Sequence, residues 1–206
     1  MRLPKKYKGI FHETTMISIG DHCIVPLLLK ELNIRTKSYP FDWTTHQEQL
    51  HDTNIMHNLS FIERLSHDTI DNIVQDYLGP DITKGYHDVI RFPHEVGTKE
   101  EIAEKYKRRF ERLRKDRESK QVYIMLTRHY FIPPAVMERI RKILLHDSIL
   151  VFISGTNHPY LNYPNVVFKH IPYDVSQFYE YDYTHFRPMV KEYLSTLDNL
   201  LHDRIA

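Results

Sequence analysis

Val122-Tyr123-Ile124-Met125-Leu126, then the helical stretch Pro133 to Leu145, then Ile149-Leu150-Val151-Phe152-Ile153 decide how this chain reads. The two apolar runs are short, β-branched and aromatic, which is the pattern of strands buried on both faces. A helix between two such strands makes a crossover unit, and a crossover implies parallel pairing with a right-handed connection. Val166 to Ile171 supplies another strand. Working back towards the N-terminus, Met16-Ile17-Ser18-Ile19 reads as a short buried strand ended by Gly20. A helix opens at Asp21 or His22 and runs to Leu32, with Pro26 in the first turn, where no amide partner is lost. Asn33 closes it. The expectation is an α/β protein with a mostly parallel central sheet, three-layered and Rossmann-like or SGNH-like in arrangement.

Between those parts lies a helical segment. Leu50, Ile55, Leu59, Ile62 and Leu65, then Ile70, Ile73, Val74 and Leu78, recur at helical spacing until Gly79-Pro80. Residues 45–95 are therefore read as a helical insertion within a single 1–206 domain. Tyr86 to Phe92 is compatible with a strand, and Pro93 to Gly97 with a turn. Thr98 followed by Glu101 is the signature of a capping box at the head of a long helix. Met189 to Leu201 reads as a final amphipathic helix.

Composition narrows the functional classes. The chain has 206 residues, 41% hydrophobic and 27% charged, with 14 Tyr, 10 Phe and one Trp. That is globular and aromatic-rich, and excludes disorder or low complexity. Lys+Arg 28 against Asp+Glu 27 lacks the basic excess of a protein that coats nucleic acid. One cysteine, Cys23, cannot form an intramolecular disulfide, so a reducing, cytoplasmic setting is expected. Charge at Met1 to Lys8 is not followed by an apolar segment as in a signal peptide, and no apolar run is long enough to span a bilayer. P-loop and Gly-x-Gly-x-x-Gly patterns are absent. So are paired cysteines and His-Glu-x-x-His, and neither a cofactor nor a metal is expected. His-Asp dipeptides recur, as at His67-Asp68 and His146-Asp147, but the metal phosphohydrolases built on such a pair are all-helical.

Cys23 is the most informative position. It falls just past the first strand, after a glycine turn, in the first turn of a helix. Ligands of open parallel sheets bind beyond the carboxyl ends of the strands, where helix N-termini gather. Amides without partners and the helix dipole favour a thiolate there, lowering the thiol pKa. The competing reading is a small buried hydrophobe that packs the helix against the sheet. The residues alone leave both open.

Ser18-Ile19-Gly20-x-x-Cys23, then Leu28-Leu29-Lys30, then Arg35-x-x-Ser38-Tyr39-Pro40-Phe41-Asp42-Trp43 resemble the opening motif of an uncharacterised family described as papain-like cysteine peptidases, found in bacteria and large DNA viruses. Phe92-Pro93-His94, Tyr106 and Arg108-Arg109-x-x-Arg112 match its later landmarks, and the resemblance covers roughly Met16 to Leu126. It implies Cys23 as nucleophile, His94 as general base and a peptide bond as substrate. Papain itself, however, sets the nucleophile's helix against an antiparallel barrel, whereas this chain reads as a parallel sheet.

A second layout fits that sheet. Gly155-Thr156-Asn157 after a strand and Asp182-x-x-His185 before the last helix are similar to SGNH-type esterases. Asn157 and the turn at Gly20 would help hold an oxyanion, and His185, oriented by Asp182, would be the base of an esterase or acyltransferase. A cysteine stands where that layout has serine. Asp42 has two readings, towards Cys23 or a substrate, or as the cap of its own turn between core anchors Phe41 and Trp43. The second is favoured, because bulky aromatics are mostly held by burial. Lys105 to Lys120 is basic but carries an apolar stripe, Ile102, Tyr106, Phe110 and Leu113, so it reads as a helix packed on one side. Arg108, Arg109 and Arg112 remain candidates for an anionic group of the substrate. The alternative from another class is a non-catalytic binding module, in which the aromatic loop and basic helix grip a partner and Cys23 only packs.

Overall fold

The computed structural model describes residues 15–20, 23–35, 37–46, 51–82, 90–128, 130–144, 148–159, 161–174, 176, 182–197 and 199–201. In chain order the elements are β1 (Thr15–Ser18), α1 (Ile24–Glu31), β2 (Thr45–His46), α2 (His51–Arg64), α3 (Ile70–Leu78) and β3 (Ile90–Arg91). There follow α4 (Lys99–Asp116), β4 (Gln121–Thr127), α5 (Pro134–Ile143), β5 (Ile149–Ser154), β6 (Val166–His170), a π-helical turn (Asp182–Phe186) and α6 (Arg187–Ser195). The expected mixed α/β architecture is present.

Four strands form one sheet in the order β1-β4-β5-β6, and every pairing in it is parallel. β4 and β5 are buried along their whole length, as strands covered on both faces must be. Alternation of side chains sorts them into two layers. Val122, Ile124, Leu126, Ile149, Val151 and Ile153 pack with α1 and α6. Tyr123, Met125, Leu150 and Phe152 face the other way, into a layer built by α2, α3, α4 and α5. β6 lies at the sheet's edge and turns polar, with Lys169 and His170 exposed, which discourages pairing with another chain.

The strand anticipated over Tyr86 to Phe92 is described only at Ile90–Arg91, because 83–89 lie outside the described residues. It does not join the main sheet. It pairs antiparallel with Thr45–His46, placing Thr45 opposite Arg91 and His46 opposite Ile90. The capping box is formed as expected: Glu101 N donates to Thr98 Oγ1 at 3.2 Å, and Thr98 N donates to Glu101 Oε2 at 2.8 Å. Gly97 precedes it at φ +131°, a backbone conformation that favours glycine, and a Cβ there would come within 2.8 Å of that same carboxylate.

Candidate active site

β1 stops at Ser18 and the chain passes over β4 before α1 begins. Gly20 makes that passage possible, since a Cβ there would lie 2.9 Å from both the nitrogen and the oxygen of Leu126. Asn58 of α2 holds the passage from the other side. Its Nδ2 donates to the carbonyls of Ile19 and Gly20, each at 3.3 Å, from a fully buried position. α1 then starts with Cys23 at its N-cap, and the sulfur is not used to cap the helix. Ile24 and Val25 have amides with no acceptor within the helix, and Pro26 contributes none. Asp21 and His22 lie outside the described residues.

Cys23 is 6% exposed. Its sulfur lies 3.5 Å from His94 Nε2, across 71 residues of chain. His94 itself is exposed and sits on a turn after β3, which Glu95 N closes by donating to Phe92 O at 3.2 Å. Pro93 occupies the second position of that turn, where its fixed φ is favourable. The β2–β3 ladder explains why this turn meets the aromatic loop: Trp43 stands two residues before β2, and His94 three after β3. The Trp43 ring presents an edge-on contact to the imidazole, with centroids 6.1 Å apart at 80°. Trp43 is half-buried beside the histidine and is not a core anchor. Phe41 is one, 1% exposed and edge-on to Tyr77 and Phe110.

Asp42 takes the structural of its two readings. Arg35 donates to both its oxygens, at 3.0 and 2.8 Å, and Tyr39 N donates to Oδ2 at 2.6 Å. The carboxylate is wholly buried and caps its own turn. A carboxylate in any case has no donor to offer an oxyanion. Arg109 and Arg112 are likewise engaged inside the protein, Arg109 with Glu95 and Arg112 with the carbonyl of Ser38. Arg108 is the exposed member of that trio.

The elements of the second layout lie on the loop after β5 and the turn before α6. His185 is exposed and its Nδ1 is 2.7 Å from the hydroxyl of Thr184. Of the two candidate imidazoles, His94 is the one on the sulfur. The Asp182 side chain lies outside the described residues. Asn157 is exposed in the loop after β5. Gly155 opens that loop against the backbone of Arg128, with no room for a Cβ.

Three buried polar groups of the protein escape a reading of the sequence. Asn58 interrupts the apolar stripe of α2 between Ile55 and Ile62, and a polar residue on a core face is the signal that points to it. Glu95 turns inward, where Lys105 Nζ donates at 2.5 Å and Arg109 at 2.6 Å. Burial opposes its charge, but those two donors outweigh burial and hold the carboxyl below its ordinary range. His158 is 1% exposed and accepts from Ile132 N at 2.9 Å through Nε2. Its proton therefore sits on Nδ1, 2.8 Å from the carbonyl of Thr156. Burial holds its pKa below the usual imidazole value.

Fold and site together define an α/β protein with a cysteine–histidine pair at the carboxyl end of a parallel sheet. The model of the family described as "putative papain-like cysteine peptidase" matches residues 14–145, and the chain belongs to that family. No curated protein and no solved structure gives a significant match. Among the described residues, no helix is long and apolar enough to cross a membrane.

Proposed function

We propose that this protein is a thiol-dependent acyl hydrolase or acyltransferase, with Cys23 as nucleophile and His94 as general base. The 3.5 Å contact between Sγ and Nε2 carries this reading. His94 Nε2 takes the thiol proton, and the thiolate attacks a carbonyl carbon, forming a C–S bond while the carbonyl electron pair moves onto oxygen. Amides at the first turn of α1 are suited to hold that oxyanion. The intermediate collapses, the bond to the leaving group breaks, and His94 returns the proton to the departing nitrogen or oxygen. Water, deprotonated by the same ring, then attacks the thioester and regenerates the thiol; an acceptor alcohol or amine in its place gives acyl transfer. The family description points to a peptide bond, and esters and thioesters suit the same groups. A lone working thiol also accords with a reducing compartment.

The test is alkylation of the native protein by iodoacetamide between pH 6 and 8. Cys23 should react rapidly, and His94→Ala should slow it by about 10-fold or more, while His185→Ala leaves it unchanged. The scheme based on His185 and Asp182, which draws on the parallel sheet, predicts the reverse order of sensitivity. Reaction only after denaturation, indifferent to both histidines, would favour the non-catalytic binding module.

A further inference from the structure

His94 has its Nε2 on the sulfur, yet among the described residues its Nδ1 makes no hydrogen bond. An imidazole base normally has its second nitrogen oriented by an acid or amide. Here the neighbouring acid, Glu95, points away, into the protein. Its side chain is 3% exposed and is gripped by Lys105 and Arg109 of α4. Arg109 is itself fixed, its guanidinium lying 4.7 Å above the Tyr106 ring. The other leg of the turn is anchored by Phe92, edge-on to Tyr77 at 5.6 Å and Tyr106 at 5.3 Å. His94 thus stands on a short turn fastened at both ends to the same helical layer.

From this arrangement we infer that the Glu95–Arg109–Lys105 cluster is the positioning device that holds His94 against Cys23, in place of an orienting acid on Nδ1. The inference rests on the reading of His94 as the base. Glu95 touches neither the sulfur nor any substrate-facing atom described; it acts through the backbone of the residue before it. Removing the carboxylate charge releases the turn and lets the ring drift, and a misplacement of about 1 Å in such a group is enough to cost catalysis heavily.

The experiment is a double-mutant cycle read by the second-order rate of Cys23 alkylation with iodoacetamide at neutral pH. Glu95→Gln should lower the rate by about 10-fold in the native background and by nothing in the His94→Ala background. An equal fall in both backgrounds means a general structural role and overturns the inference, as does an unchanged rate in Glu95→Gln alone. If His94→Ala already reacts like the native protein, the base assignment fails and the inference fails with it. If His94→Ala is slow and Glu95→Gln is not, only the positioning role is lost. Should Glu95→Gln not fold, Lys105→Met keeps Arg109 on the carboxylate. It should then give a smaller fall, roughly 3-fold, which His94→Ala abolishes; a rate equal to native overturns the inference.

Discussion

The turns at His94 and His185 each carry an exposed histidine, and they are built differently. The turn at His94 follows a strand pairing, has Phe92 packed among tyrosines before it and has Glu95 locked by two cations after it. The π-helical turn at His185 leads into α6, and His185 is 2.7 Å from its own chain neighbour, Thr184. Phe186 is buried there, but α6 begins without a side-chain cap. Placing an imidazole within reach of a sulfur demands that the backbone on both sides be fixed. The first turn meets that demand with buried ionic and aromatic anchors; in the second, Phe186 is the buried anchor described, edge-on to Tyr173.

The contrast can be broken by attacking the anchors. Arg35 holds the loop of Trp43 through Asp42, with side-chain exposures of 8% and 0%, whereas Arg187, beside the second turn, pairs with the surface residue Glu31 at 25% and 39%. Arg35→Met leaves a buried carboxylate without its cation, and chemical denaturation should register a loss of about 3–5 kcal/mol. The same substitution at Arg187 should cost no more than about 1 kcal/mol. Comparable losses at the two sites would erase the distinction.

Thr98→Ala removes half of the capping box that begins α4, three residues after Glu95, and should cost about 1 kcal/mol with a lower Tm. A native-like Tm would mean that α4 is secured by its packing alone. The smallest effect is a slope. Burial lowers the pKa of His158, so the unfolded chain binds that proton more readily than the folded one. Its contribution is complete above the usual imidazole value near 6.5, and is lost as the pH falls through and below it. Urea unfolding between pH 7.5 and 5.5 should show a shallower decline in His158→Asn than in the native protein, and an identical decline would remove His158 from the account.

Much of the architecture is legible in the sequence alone. β4, α5 and β5 announce themselves because a fully buried parallel strand must be apolar on both faces, and a helix must repeat its apolar face every three to four residues. The placement of Cys23 after a strand and a glycine was legible for the same reason. His94 could be singled out only through family resemblance, since 14 histidines are scattered along the chain and none of the spacings selects it. Trp43 reads as a core anchor from its size and apolarity, whereas it is half-buried beside that ring. The roles of Asn58 and Glu95 are not legible in the sequence because their partners, two carbonyls of β1's exit and two cations of α4, lie at distances along the chain that no local pattern encodes.

By itself the sequence determined the layers, the parallel sheet and the station of its single thiol at the head of a helix, because these follow from periodicity and local backbone preference. Only the tertiary structure decided which imidazole meets that sulfur. A two-residue antiparallel ladder brings the aromatic loop and the His94 turn together, and an inward ion pair fastens the turn. Such contacts depend on where folded surfaces meet in space, and hydrophobic spacing along the chain carries no record of that.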